Sequence, residues 1–196
     1  MITETEQLLL DQGFDLVDEY SKAVELAQLD SSKPVLDIAT GSGRMASVLA
    51  GKGYEVWSGD INEEALQKAR LRLGDLVSKV QLFTFDAVRT PFASNSFSAI
   101  TCANAIHEIE DPDAVVREMT RLVSDDGKLL IIEFNDLGFD LMAQIREQLN
   151  RGQHRRGDMP TEQIDLRLRA LFEHVTVSDI GMNHIWIASC KKKESA

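Results

Sequence analysis

From the start of the chain to residue 29, apolar residues recur three and four positions apart. Leu9, Leu10, Phe14, Leu16, Val17, Tyr20, Val24 and Leu26 share this helical spacing, and Gly13 interrupts it, so the stretch predicts two helices. After Ser31-Ser32-Lys33-Pro34 the pattern changes. Compact apolar runs at 35–39, 54–59, 80–84, 97–102 and 128–134 read as strands, with helical stretches near 43–52, 62–74 and 111–123 between them. The boundaries carry their own signals. Asn62 before Glu63-Glu64 is a helix cap followed by first-turn acids, and Asp111-Pro112 places proline at a first helical position. Asp125-Asp126-Gly127 reads as a turn leading into the fifth strand. Strands alternating with helices predict an open parallel sheet covered on both faces.

The last sixty residues follow another rule. Residues 137–149 and 161–171 are helical in pattern, and 150–160 are polar and irregular. Two β-rich runs, 172–179 and 183–190, are separated only by Ile180-Gly181-Met182. That gap is too short for a parallel crossover, so the final pair is expected to be antiparallel. The chain reads as one α/β domain over 1–196, with a helical cap over 1–31 and a flexible, solvated tail over 191–196.

Composition narrows the function. With 196 residues the chain is one ordinary domain, and 43% hydrophobic against 27% charged residues is average for a globular protein. A net charge of −11 argues against nucleic acid as a partner, because neutralising phosphates needs a basic footprint. Cys102 and Cys190 sit in apolar runs and read as buried reduced thiols, and no metal centre is expected. No apolar run reaches the roughly 20 residues of a membrane span. The acidic opening Met1-Ile-Thr-Glu-Thr-Glu lacks the order of a signal peptide, so a cytoplasmic protein is expected.

The chemistry concentrates in Val35-Leu-Asp-Ile-Ala-Thr-Gly-Ser-Gly43. An apolar strand ends on a carboxylate, and two glycines open a helix. Glycine lets the backbone approach a ligand closely, and the helix start turns free N–H groups toward it. Two readings arise. Gly41-Ser-Gly-Arg-Met-Ala46 fits the dinucleotide pattern G-x-G-x-x-A, with Asp60 near the ribose-binding position. The second reading uses Asp37 too. Asp37-Ile-Ala-Thr-Gly-Ser-Gly resembles D-x-G-x-G-x-G, the first motif of class I S-adenosylmethionine (SAM)-dependent methyltransferases, with Ala39 in place of the first glycine.

Further segments join that resemblance in order. Val56-Trp-Ser-Gly-Asp60-Ile61 resembles the second motif and Phe85-Asp86-Ala87 the third. Thr90-Pro-Phe-Ala-Ser-Asn-Ser-Phe-Ser98-Ala-Ile100 is similar to the family's entry into strand four, with Ser98 where an acid is usual. Ala105-Ile-His107-Glu-Ile-Glu-Asp-Pro112 resembles its A-L-H-H-x-x-D-P segment. Arg121–Ile132 resembles R-x-L-K-P-G-G-x-L-x-I, with Asp125-Asp126 replacing proline-glycine.

The resemblance, which runs from about Val35 to Phe134, implies a Rossmann-like seven-stranded mixed sheet, helices on both faces and an antiparallel last strand. It implies SAM as cofactor and a small-molecule methyl acceptor of the kind met in quinone biosynthesis. Gly41 and Gly43 would then lie near the methionine part of SAM, with Asp37 near its ammonium. Asp60 would hold the ribose, and Asp86 and Ala87 would face adenine. Ala39, Ile61 and Ala103 complete the expected cofactor wall, Ile61 flanking adenine or starting a helix. Asn104 and His107 follow strand four, where the methyl group emerges. Asn104 is a candidate for orienting the acceptor, or a turn former. His107 is a candidate base, or a structural histidine beside the cofactor. Phe14 and Tyr20 are lid candidates or core residues, and Glu133 and Asn135 end strand five beside the pocket. The basic cluster Arg151-Gly-Gln-His154-Arg155-Arg156 is either an anion clamp or a solvated loop. A nicotinamide-dependent oxidoreductase and a non-catalytic SAM-binding protein remain the alternatives.

Overall fold

A computed structural model describes residues 2–154, 156, 157 and 159–192. Its strands β1 (Val35–Ile38), β2 (Val56–Asp60), β3 (Val80–Thr84), β4 (Phe97–Ala103), β5 (Val123–Phe134), β6 (Phe172–Ile180) and β7 (Asn183–Lys191) form one sheet in the order β3-β2-β1-β4-β5-β7-β6. The first five pair parallel, whereas β7 runs antiparallel to both β5 and β6. The Rossmann-like mixed sheet is therefore present, closed by the hairpin that the short Ile180–Met182 gap requires.

Helices flank the strands, and their ends follow local chemistry. They are α1 (Glu4–Asp11), α2 (Leu16–Ala27), α3 (Arg44–Gly51), α4 (Glu63–Leu73), α5 (Pro112–Leu122), α6 (Asp136–Gln148) and α7 (Thr161–Leu171), with α3, α4 and α5 linking parallel neighbours. Thr3 and Glu6 form a reciprocal capping box on α1, and Asp15, Asn62, Asp111 and Asn135 accept backbone N–H groups at the starts of α2, α4, α5 and α6. Each such cap satisfies donors that a helix start leaves bare.

Alternation along the strands divides the interior into two layers. On β5, Leu130 and Ile132 join the layer beneath α2, α3 and α6, while Leu129 and Ile131 join the layer with α5 and α7. Buried Glu19 on α2 accepts from the Met182 N–H (3.1 Å) and the Asn183 amide (2.6 Å), tying the cap to the β6–β7 turn.

Two expectations need correction. Asp125-Asp126-Gly127 does not precede the fifth strand but bulges within it: Phe97 pairs with Val123 and Ala99 already with Lys128. Turn-forming residues there bend a strand that is paired on both sides of them. Residue 191, in turn, belongs to the sheet. Lys191 ends β7, and its ammonium donates to Asn95 Oδ1 and to the Val123 carbonyl. Residues 193–196 lie outside the described part. No helix among the described residues is long and apolar enough to cross a membrane.

Candidate functional site

The order reverses between β1 and β4: the chain winds outward through β2 and β3, then returns to the other side of β1. In open α/β sheets the crevice beyond the strand ends at such a point is where ligands bind. Here it is a cavity of about 700 Å³. Its wall includes Asp37, Ala39, Gly41 and Asp60 from the β1 and β2 ends. Ile61, Asp86, Ala87, Ala103 and Asn104 continue it.

Asp37 sits at the floor, 1% exposed. Ser58 and Thr101 hydroxyls from the two flanking strands donate to its carboxylate at 2.6 and 2.9 Å, and the Thr40 hydroxyl meets that of Ser58 at 2.6 Å. Burial pushes the Asp37 carboxyl up to about 6; the two hydroxyls pull it part of the way back, and the Asp60 charge adds to the rise. It is a buried acid lacking a cationic partner among the described residues, and it faces an open cavity.

The loop that follows is built on left-handed backbone. Ala39, Gly41 and Gly43 have φ of 59°, 53° and 79°. At Ala39, which stands in place of the motif's first glycine, the methyl is held in a region that costs an L-residue about 1–2 kcal/mol. Gly43 is not on the cavity wall. A Cβ there would come within 2.8 Å of Ala69 on α4, so this glycine serves the close approach of α3 to α4. Gly41 turns its N–H onto Asp60 Oδ2 (2.8 Å), and Asn62 N–H reaches Oδ1 (2.9 Å). A carboxylate has about four acceptor positions, so roughly two stay free toward the cavity. Ile61 stands 69% exposed at the mouth, free to cover a planar ligand. Asp86 is exposed and caps the Val88 N–H (3.0 Å).

Beyond β4, Asn104 takes φ 48°, and neither polar atom of its side chain has a hydrogen-bond partner among the described residues. The buried Tyr20 hydroxyl from α2 also lacks one and lines the same cavity. Tyr20 is thus both a core residue and a wall residue. Arg44, which opens α3, lies over the Tyr20 ring at 5.6 Å. Motif spacing gave no signal for Arg44; only the packing of α2 on α3 reveals it.

The cap is fastened to this loop by charge. Glu6 accepts from Arg44 Nε (2.7 Å) and Arg72 Nη2 (2.8 Å), while Arg72 Nε donates to the Ser42 carbonyl (2.9 Å). Burial acts to raise the Glu6 carboxyl, but the Arg72 and Arg44 guanidiniums outweigh it and hold it down at about 2.

His107 lies behind the wall, 5% exposed. Its Nδ1 meets Glu133 Oε1 at 2.8 Å and its backbone N–H meets Oε2 at 3.1 Å. Phe134, Phe139 and His154 surround the ring. Sequence spacing gave no hint of the Glu133–His107 pair, which joins two strand ends 26 residues apart. The basic cluster is engaged with acids: Arg151 pairs with Glu4 (3.0 Å), and Arg156 pairs with Asp136 (2.6 Å) and Asp140 (2.7 Å). Arg155 lies outside the described residues.

Comparison with known proteins agrees with this architecture. Residues 36–131 match the family model described as a methyltransferase domain. A ubiquinone/menaquinone biosynthesis C-methyltransferase of Shewanella sp. (strain ANA-3) is 34% identical over 127 residues, 62% of this chain and 51% of that protein. The chain thus spans about half the length of the curated relatives it matches. Among solved structures, a protein of Pyrococcus horikoshii superposes with a TM-score of 0.68 at 19% identity, covering 87% of this chain and 89% of that one. A putative SAM-dependent methyltransferase of Methanococcus maripaludis gives 0.66 at 17% identity, covering 91% and 87%. At that identity the structures speak for the fold. Residues 36–131 are thus similar to a methyltransferase domain, and the solved structures share the fold of this chain.

Proposed function

We propose that this chain transfers the sulfonium methyl group of SAM to a small-molecule acceptor by direct displacement. An electron pair of the acceptor forms the new bond to the methyl carbon as the carbon–sulfur bond breaks, S-adenosylhomocysteine leaves as a neutral thioether, and a proton displaced from the acceptor passes to solvent. The observation that carries this reading is the charge layout of one cavity: buried Asp37, the Gly41 loop and Asp60 in sequence along its wall. Asp37 meets the ammonium of the cofactor, the free acceptor positions of Asp60 take the ribose hydroxyls, and Ile61, Asp86 and Ala87 border adenine. Ala39, Gly41 and Ala103 complete the wall.

Because the sulfonium is a good leaving group, the protein's contribution is alignment and exclusion of water. Asn104 is the acceptor-facing residue in this reading, since its amide is unpaired on the wall, whereas His107 is buried behind it. A small acceptor is favoured by the net charge of −11 and by the name of the Shewanella relative, which places that protein in quinone biosynthesis. The two free cysteines suit a reducing, cytoplasmic setting.

Titration calorimetry tests the cofactor assignment. SAM and S-adenosylhomocysteine are expected to bind, and Asp60→Asn to weaken both at least tenfold. Binding of NADH with no heat from SAM would replace this reading with the oxidoreductase one. Transfer of tritiated methyl from SAM into the low-mass fraction of a metabolite extract is expected as well; cofactor binding without any transfer would make the chain a SAM-binding protein instead.

A further inference from the structure

Beneath the cavity, His107, Glu108 and His154 bring three ligand atoms within 4.8 Å of one another. The state of His107 follows from its partners. Glu133 Oε1 already accepts the Phe134 N–H at 2.8 Å, and Oε2 accepts the His107 N–H at 3.1 Å, so Glu133 behaves as an acceptor-only carboxylate. The 2.8 Å contact to His107 is therefore made by an Nδ1–H donor, which turns Nε2 away from Glu133 and toward Glu108. That Nε2 is buried and has no hydrogen-bond partner among the described residues; the same holds for Nε2 of His154. Glu108 Oε1 lies 3.8 Å from His107 Nε2, and Glu108 also lines the cofactor cavity.

We infer that His107, Glu108 and His154 form a binding site for a divalent transition-metal ion of the zinc class. Two imidazole nitrogens and one carboxylate are a ligand set suited to zinc, and three protein ligands leave a fourth position for water or an oxygen of a bound molecule. Glu133 is the outer carboxylate that fixes the tautomer and orientation of a metal-bound histidine. Gly157 packs directly on the His107 backbone, where a Cβ would come within 2.6 Å, so the segment carrying His154 is seated on the first ligand. Bonds of about 2.0–2.1 Å to zinc place tetrahedral ligand atoms roughly 3.4 Å apart. Reaching that geometry from ligand atoms within 4.8 Å takes a closure of about 1–1.5 Å, to which the exposed Glu108 side chain contributes. The site stands whether or not the chain transfers methyl groups.

The test is titration of the chelator-treated full chain with zinc chloride, together with the visible spectrum of the cobalt(II)-loaded protein. One zinc per chain is expected, with a tetrahedral cobalt spectrum. His154→Ala should weaken zinc at least tenfold, and Glu133→Gln by 10–100-fold with the fold intact by circular dichroism. His174→Ala, on exposed β6, should leave binding unchanged. Two results would overturn the proposal: no stoichiometric zinc binding, or binding that survives the double variant His107→Ala/His154→Ala.

Discussion

Replacing Asp37 with asparagine should make the protein more stable and poorer at holding its cofactor. In the folded chain the carboxyl is raised from its ordinary 3.8 to about 6. A raised acid favours the folded state fully below about 3.8, and that contribution is lost as pH climbs through about 6. Above pH 6 the ionised, buried carboxylate costs folding on the order of 3 kcal/mol, at about 1.4 kcal/mol per pH unit. Asparagine has nearly the same shape, but its single oxygen replaces only one of the two that accept from Ser58 and Thr101. Its NH₂ group must find an acceptor among the same hydroxyls, which trims the gain to about 1–3 kcal/mol. For a chain of this size that is a rise in Tm of roughly 3–10 °C at pH 7.5. Scanning calorimetry of both proteins from pH 4 to 8 should show the gap open between pH 4 and 6 and stay constant above. Affinity for SAM should move the other way, dropping at least tenfold at pH 7.5, because the ammonium loses its counter-charge. Equal Tm values across the whole range would refute the strained-carboxylate argument, and undiminished SAM binding would refute its purpose.

Two further substitutions probe the surroundings. Glu6→Gln leaves Arg44 and Arg72 without their shared anion and should cost about 3 kcal/mol at pH 7 in urea unfolding. The Glu6 carboxyl is depressed from 4.5 to about 2, so its contribution is present above 4.5 and fades as pH falls through about 2; the variant should therefore converge on the parent in acid. Ala39→Gly should raise stability by about 0.5–1 kcal/mol, the left-handed strain relieved less the entropy of an added glycine, and an unchanged urea midpoint would show the loop to be unstrained.

The fold was largely legible because its signals are local. A compact apolar run marks β5, Asn62 and Asp111 announce their helices, and a three-residue gap forces an antiparallel hairpin. The wall residues Asp37, Gly41 and Asp60 were legible for a related reason, since all follow strand ends in a short, ordered motif. What escaped was whatever depends on two distant segments meeting. Nothing around residue 133 announces that Glu133 will grip His107, and nothing around Gly43 announces that Ala69 will pack against it. Asp125-Asp126-Gly127 misled because turn chemistry reads the same in a loop and in a bulge.

Arg72 joins things that lie far apart in the chain. It holds Glu6 on the cap and the Ser42 carbonyl in the glycine loop, and its side chain is only 9% exposed. The cap is thereby a latch and not a free flap. Lifting α1 strips an anion from two shielded cations and loosens the carbonyl that shapes the loop. One guanidinium, itself off the cavity wall, thus couples the seating of α1 to the shape of the glycine loop.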